Sequence, residues 1–264
     1  MFMLTHTYFL QKVLIPVYLK DIEPDIYVYN IVPDLLTIHP NISPAQTHTL
    51  QRSLIIPAKY QKSVYVIFHL LVDDLSHCGH ISSGYQEEFN LSSKGYSYLK
   101  GNHLIKSIRD LYKIIGKEIS LSDAVYQSHL IIEMIYDLVI INHINSFKTI
   151  DVLVEAIKYT AKNKMKEFVE TINWLYGLEE NEINEVMKNA SFFITKISMQ
   201  NIMNIEGRIN LYIDKFGLQS NEKLFYDGLK NLFQRAMDLI DDDELFFRET
   251  VKVIRNYNKF PLIK

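Results

Sequence analysis

Proline placement constrains this chain more than any other feature. Six of its seven prolines are Pro16, Pro24, Pro33, Pro40, Pro44 and Pro57, and the seventh is Pro261. A proline within a helix removes one backbone hydrogen bond and crowds the carbonyl four residues back. From Ala58 to Phe260 no proline occurs, so long helices meet no such interruption there. Apolar residues in that stretch recur at i, i+3 and i+4, the spacing of a helix with one buried face. The spacing predicts a helix over 64–75 and another over 121–145, the second opened by Ser122 as an N-cap. Further helices are predicted over 149–163, 164–176, 179–190, 191–214, 221–240 and 242–256. Ser220, Asn221 and the acidic run Asp241 to Glu244 mark the starts of the last two. Gly116, Gly177 and Gly217 stand where helices should stop. The expected fold is all-α, a multi-helix bundle.

The totals exclude several classes. With 48% hydrophobic and 22% charged residues, the chain has the balance of a folded soluble protein. A net charge of -3 argues against a surface that grips duplex nucleic acid, though a nucleotide or lipid headgroup stays compatible as a small substrate. The lone cysteine, Cys78, allows no internal disulfide. The opening MFMLTHTYFLQKVLIPVYLK is apolar but has no basic segment before its apolar run, and no clear cleavage site. No uninterrupted apolar stretch reaches the roughly 18 residues of a membrane span. The expectation is a cytoplasmic protein without a transmembrane span.

Histidine use divides the chain. All nine histidines fall between His6 and His143, which suggests a histidine-bearing region 1–147 and a helical region 148–264, packed with the first or as an annex to it. The C-terminal helices offer a roof for a cleft or a homodimer surface. Residues 79–101, rich in Gly, Ser and Tyr, read as a long loop. Its Tyr85, Tyr96 and Tyr98 either line a cleft or simply pack.

Two pairs have the geometry of helical metal ligands: His69 with Asp73 in HLLVD, and His129 with Glu133 in HLIIE. Side chains at i and i+4 share a helix face, so one ion can take both. Both pairs sit in strongly apolar stretches, where a carboxylate is costly to bury unless it is paired or bound to a metal. Upstream stand His6 in a Thr-His start, Asp34 in a Pro-Asp dipeptide, and His48 fourteen residues after Asp34. His77 and His80 follow the first pair.

This ordered set resembles the zinc-dependent phospholipase C family, whose wider relatives include fungal single-strand nucleases. The resemblance spans roughly residues 4–135 and implies an all-helical hydrolase of phosphoesters with two or three zinc ions in a cleft. By the same resemblance, Asp34, His48, His69 and Asp73 would hold one ion, with Asp73 bridging to a second that His6 also serves. His129, Glu133 and either His77 or His80 would hold another, and Asp34 would orient the attacking water. Imidazole with carboxylate suits zinc, and manganese and iron also accept it. The family places its histidine six residues after the aspartate of HxxxD, whereas here His77 follows at four and His80 at seven. Secreted members also use an N-terminal tryptophan, and the sole tryptophan here is Trp174.

His39 and His103 fit no slot and read as surface or loop residues, with His143 at a helix C-terminus. Asp74, Asp123 and Asp137 read as partners of the ligands or as solvated residues. Two other readings keep a metal site: a group of membrane-associated bacterial hydrolases that lack the HxxxE pair, and a non-catalytic helical scaffold stabilised by metal.

Overall fold

The computed structural model describes residues 2–14, 23–82, 84, 93–143, 147–218 and 223–257, apart from the side chains of 142, 143 and 147. Tyr85, Ser220 and Asn221 lie outside them. Among the described residues the chain is helical throughout, with no strand. The elements are α1 (Met3–Val13), α2 (Ile26–Leu36), α3 (Pro44–His48), α4 (Ser63–His77), α5 (Tyr96–Gly101), α6 (Ile105–Ile114) and α7 (Leu121–His143). They continue with α8 (Phe147–Tyr159), α9 (Met165–Tyr176), α10 (Glu180–Phe193), α11 (Lys196–Ile202), α12 (Ile205–Phe216), α13 (Lys223–Leu239) and α14 (Asp243–Arg255).

Local chemistry accounts for most boundaries. Gly177 and Gly217 take left-handed conformations at the ends of α9 and α12, φ +67° and +58°, where a side chain would be strained. At the start of α7, Ser120 rather than Ser122 receives the Asp123 N–H, and its hydroxyl donates to the Asp123 carboxylate. Asp123 is therefore an exposed capping residue and takes no part in a metal site. Residues 160–164 form a single π-helical turn that joins α8 to α9.

Two expectations fail here. The helix predicted over 191–214 divides into α10's end, α11 and α12. The reason is two caps: Thr195 and Ser198 form a capping box, and Asn204 accepts from the Gly207 N–H. These satisfy donors that a continuous helix would have bonded internally. The loop expected over 79–101 contains α5, whose N-cap is Gly95. A Cβ there would lie 2.1 Å from the His77 carbonyl carbon. Only glycine lets this segment press against the end of α4, where the Gly95 N–H donates to the His77 carbonyl at 3.0 Å.

One hydrophobic core runs through the whole chain, from Leu4 to Ile254. α4 packs on α2, α5, α1 and α14, while α7 packs on α5, α6, α13, α1 and α12. Helices after residue 147 thus wrap the elements that carry the histidines. α7 is also long and apolar enough to cross a membrane by length and composition, and 94% of its apolar window is buried inside the bundle. Its polar residues His129, Glu133 and Asp137 are buried too, at 2%, 3% and 2% exposure.

Candidate metal centre

α4 presents His69, Asp73 and His77 on successive turns of one face, about 6 Å apart along the axis. All three are buried. Around Asp73 gather His6 from α1, Asp34 from the end of α2 and His48 from the end of α3. His6 Nε2 lies 3.2 Å from Asp73 Oδ1, while His69 Nε2 and His48 Nε2 lie 3.2 and 3.6 Å from Asp73 Oδ2. Asp34 Oδ1 faces His48 Nε2 at 3.7 Å and His69 Nε2 at 3.9 Å. Asp73 thus turns one oxygen toward His6 and the other toward His48 and His69.

These separations suit shared ligands better than hydrogen bonds. Two atoms bound tetrahedrally to one ion at about 2.1 Å stand about 3.4 Å apart. Both ring nitrogens of His6, Nε2 of His69 and Oδ2 of Asp34 are buried and make no hydrogen bond. Buried polar atoms without partners are rare and costly, and a cation beside Asp73 would satisfy the Nε2 atoms of His6 and His69. His69 is already oriented for it: Nδ1 lies 2.8 Å from the Asn30 carbonyl, which leaves Nε2 directed at the carboxylates. Pro33 sits inside α2 and has no N–H for the Tyr29 carbonyl, in the same turn whose Asn30 carbonyl takes this contact.

One turn further along α4, His77 meets His129 and Glu133 of α7. Their ligand atoms all lie within 4.8 Å of one another. His77 Nε2 is hydrogen-bonded to Glu133 Oε1 at 2.5 Å, so this trio would open slightly to admit an ion. The Tyr98 hydroxyl approaches His129 Nδ1 at 3.1 Å, and the two rings stack with centroids 4.7 Å apart. This inner cluster is more enclosed than the outer one, where the side chains of Asp34 and His48 are 23% and 15% exposed.

The protonation states match a cation site. Burial pushes the imidazoles of His6 and His129 down to about 4 and about 3, reinforced by the neighbouring His69 and His77. Burial would raise the carboxyls of Asp34, Asp73 and Glu133, yet the positive charge of the N-terminal amine together with the facing histidines holds all three below their usual range. Burial lowers His48 as well, but Asp34 and Asp73 outweigh it and raise its pKa. Ionised carboxylates, with the imidazoles of His6 and His129 kept neutral, are forms that bind a metal.

Of the nine candidate residues read from the sequence, eight are brought into these two clusters. Of the alternatives His77 and His80, His77 joins the inner cluster, while His80 is exposed beyond α4 and joins neither. His77 continues the α4 face and takes the inner place. Of the unassigned histidines, His103 is exposed, His39 faces Glu185 at 3.7 Å, and His143 ends α7 with its side chain outside the described residues. Asp74 points away from the ions' place and pairs bidentately with buried Arg52, at 2.9 and 2.7 Å. Arg52 also holds the Leu50 carbonyl at 2.7 Å, which steadies the segment after His48.

Sequence reasoning missed Asn30, Arg52 and Arg208. Asn30 lies one helical turn before Asp34, a spacing that points to it. The arginines carry no comparable mark. A further acidic cluster, Glu23 with Asp25 and Glu167, also has ligand spacing, but Lys62 fills it with an ammonium 2.8, 2.5 and 2.9 Å from the three carboxylates.

Comparison of the chain with protein-family models, with curated proteins and with solved structures finds no match.

Proposed function

We propose that this protein is a metal-dependent hydrolase of phosphoesters, with zinc as the preferred ion. The observation that carries the reading is the convergence of His6, Asp34, His48, His69 and Asp73 on a partly open position, with His77, His129 and Glu133 one turn away. The order of these residues along the chain, like that of the zinc-dependent phospholipase C family, adds support.

The charge of the cleft bears on the substrate. Asp34, Asp73 and Glu133 place three carboxylates together, while Arg52 and Arg208 are each tied to another acid. Alone, such a cleft repels a phosphoester anion. Divalent ions held there would reverse that field, acidify a bound water and offset charge on the phosphoryl oxygens. Asp34, ionised and at the exposed edge, is placed to accept a hydrogen bond from that water. His48 beside it is the other partly exposed ligand. The partial exposure of these two residues favours catalysis over a purely structural site, whose ligands would be closed off.

The test is elemental analysis of the purified protein after zinc or manganese loading, with hydrolysis of bis(p-nitrophenyl) phosphate as the activity. The expected result is at least two ions per chain, metal-stimulated turnover, and loss of one ion in Glu133→Gln. Absence of bound metal refutes the site. Bound metal without turnover on any phosphoester favours the scaffold.

A further inference from the structure

We infer that Arg208, acting through Asp137 and Thr5, is a positioning residue for His6, so that the C-terminal half of the chain completes the outer metal centre. The inference rests on the metal reading above.

The argument begins at the start of α1. His6 follows Met3, Leu4 and Thr5, whose backbone N–H groups have no carbonyl within the helix to bond, and its own N–H reaches only the Phe2 carbonyl before the helix, at 3.2 Å. The first turn of a helix frays unless something outside holds it, and a fraying turn would carry His6 away from Asp73. Here the Thr5 N–H donates to Asp137 Oδ1 at 2.9 Å, and the Thr5 hydroxyl donates to the same oxygen at 2.7 Å. From the other side, Asn30 Nδ2 donates to the His6 carbonyl at 2.8 Å. The residue that carries the imidazole is pinned on both flanks.

Asp137 is a carboxylate in α7, a long apolar helix, two turns from His129 and one from Glu133. Unpaired, it would be too costly to keep there. Arg208 of α12 removes that cost, with Nη2 3.1 Å from Asp137 Oδ2. Arg208 is itself 1% exposed, and its guanidinium lies 5.9 Å from the ring of Phe2, which precedes α1. One buried arginine from the second half therefore secures both the acceptor that holds Thr5 and the residue before the helix. An ion pair serving only to join the two halves would not need to end on the residue next to a ligand.

The experiment compares zinc retention by full-length wild type, Thr5→Val, Arg208→Met and Arg208→Lys against a graded chelator. Elemental analysis counts the ions, cobalt substitution gives a spectrum for each site, and circular dichroism checks the fold. The expected result is that Thr5→Val and Arg208→Met weaken one ion by about 10- to 100-fold and leave the His77–His129–Glu133 ion unchanged. Arg208→Lys should restore part of the loss. If Arg208→Met does not fold, Thr5→Val decides, because it deletes one hydroxyl at nearly constant volume. Folded variants that hold every ion as tightly as wild type overturn the inference. A wild-type chain that binds no ion overturns the metal reading, and this inference with it.

Discussion

Two imidazoles buried in neutral form make the metal-free protein sensitive to mild acid. His6 and His129 are depressed from 6.5 to about 4 and about 3 by burial. In the unfolded chain both regain ordinary histidine behaviour and take up protons near 6.5. Because the folded pKa lies below the unfolded one, their contribution is present above pH 6.5 and is lost as pH falls below it. Between pH 7 and pH 5 each group costs about 2 kcal/mol, and the pair about 4 kcal/mol. Domains of this size are commonly stable by only about 5–15 kcal/mol. His48, whose pKa is raised, acts in the opposite sense and offsets part of the loss. The depressed carboxyls of Asp34, Asp73 and Glu133 act in the same sense as His6 and His129, but only as pH falls through the unfolded carboxyl range. The measurement is urea unfolding of chelator-treated protein at pH 7 and at pH 5, with His129→Asn as a control that should remove about half of the difference. An unfolding free energy equal at the two pH values, or higher at pH 5, refutes the reasoning.

Three other perturbations reach the same region. Tyr98→Phe removes the hydroxyl beside His129 Nδ1 and should weaken the inner ion by about 10-fold or more, read by chelator competition. Gly95→Ala places a methyl group 2.1 Å from the His77 carbonyl carbon. It should cost about 1–3 kcal/mol in a thermal or urea melt and loosen the same ion. Arg52→Leu strands the buried Asp74 carboxylate and should cost about 3–5 kcal/mol. Its unfolding midpoint should recover in the double variant with Asp74→Asn.

The parts legible in the sequence were those set by short spacings. The i, i+4 pairs on α4 and α7 are properties of helical geometry, so 64–75 and 121–145 marked both the helices and the faces that carry the ligands. Histidine 77 could not be chosen over 80 from spacing alone. The choice depends on α4 continuing to His77, and that end is set by Gly95, eighteen residues later, fitting against it. α1 and α2 were not foreseen because prolines flank or enter them, and Pro33 lies within α2 itself. The split between α11 and α12 was hidden for a similar reason: Thr195 and Asn204 look ordinary until their side chains are seen to cap. Arg208 lay furthest from view, since its role depends on a contact with Asp137 across 71 positions.

The long, apolar and buried helix α7 is also the one that supplies His129, Glu133 and Asp137. A helix selected only for packing would carry leucine or isoleucine at those positions and would cost nothing to bury. Each polar residue on it needs a partner: Asp137 finds Arg208 and Thr5, while His129 and Glu133 meet His77 and Tyr98. Across the cleft, His6 and His69 still present buried nitrogens that make no hydrogen bond. Bound ions would satisfy those atoms and stabilise the fold in proportion to their affinity. Metal loading should therefore raise the unfolding midpoint and steepen its fall from pH 7 to pH 5, since ligated imidazoles cannot take up the protons that the unfolded chain gains. A melt at pH 7 that does not change on zinc addition, while elemental analysis shows the ions bound, would place them away from these buried atoms and break the link between the site and the fold.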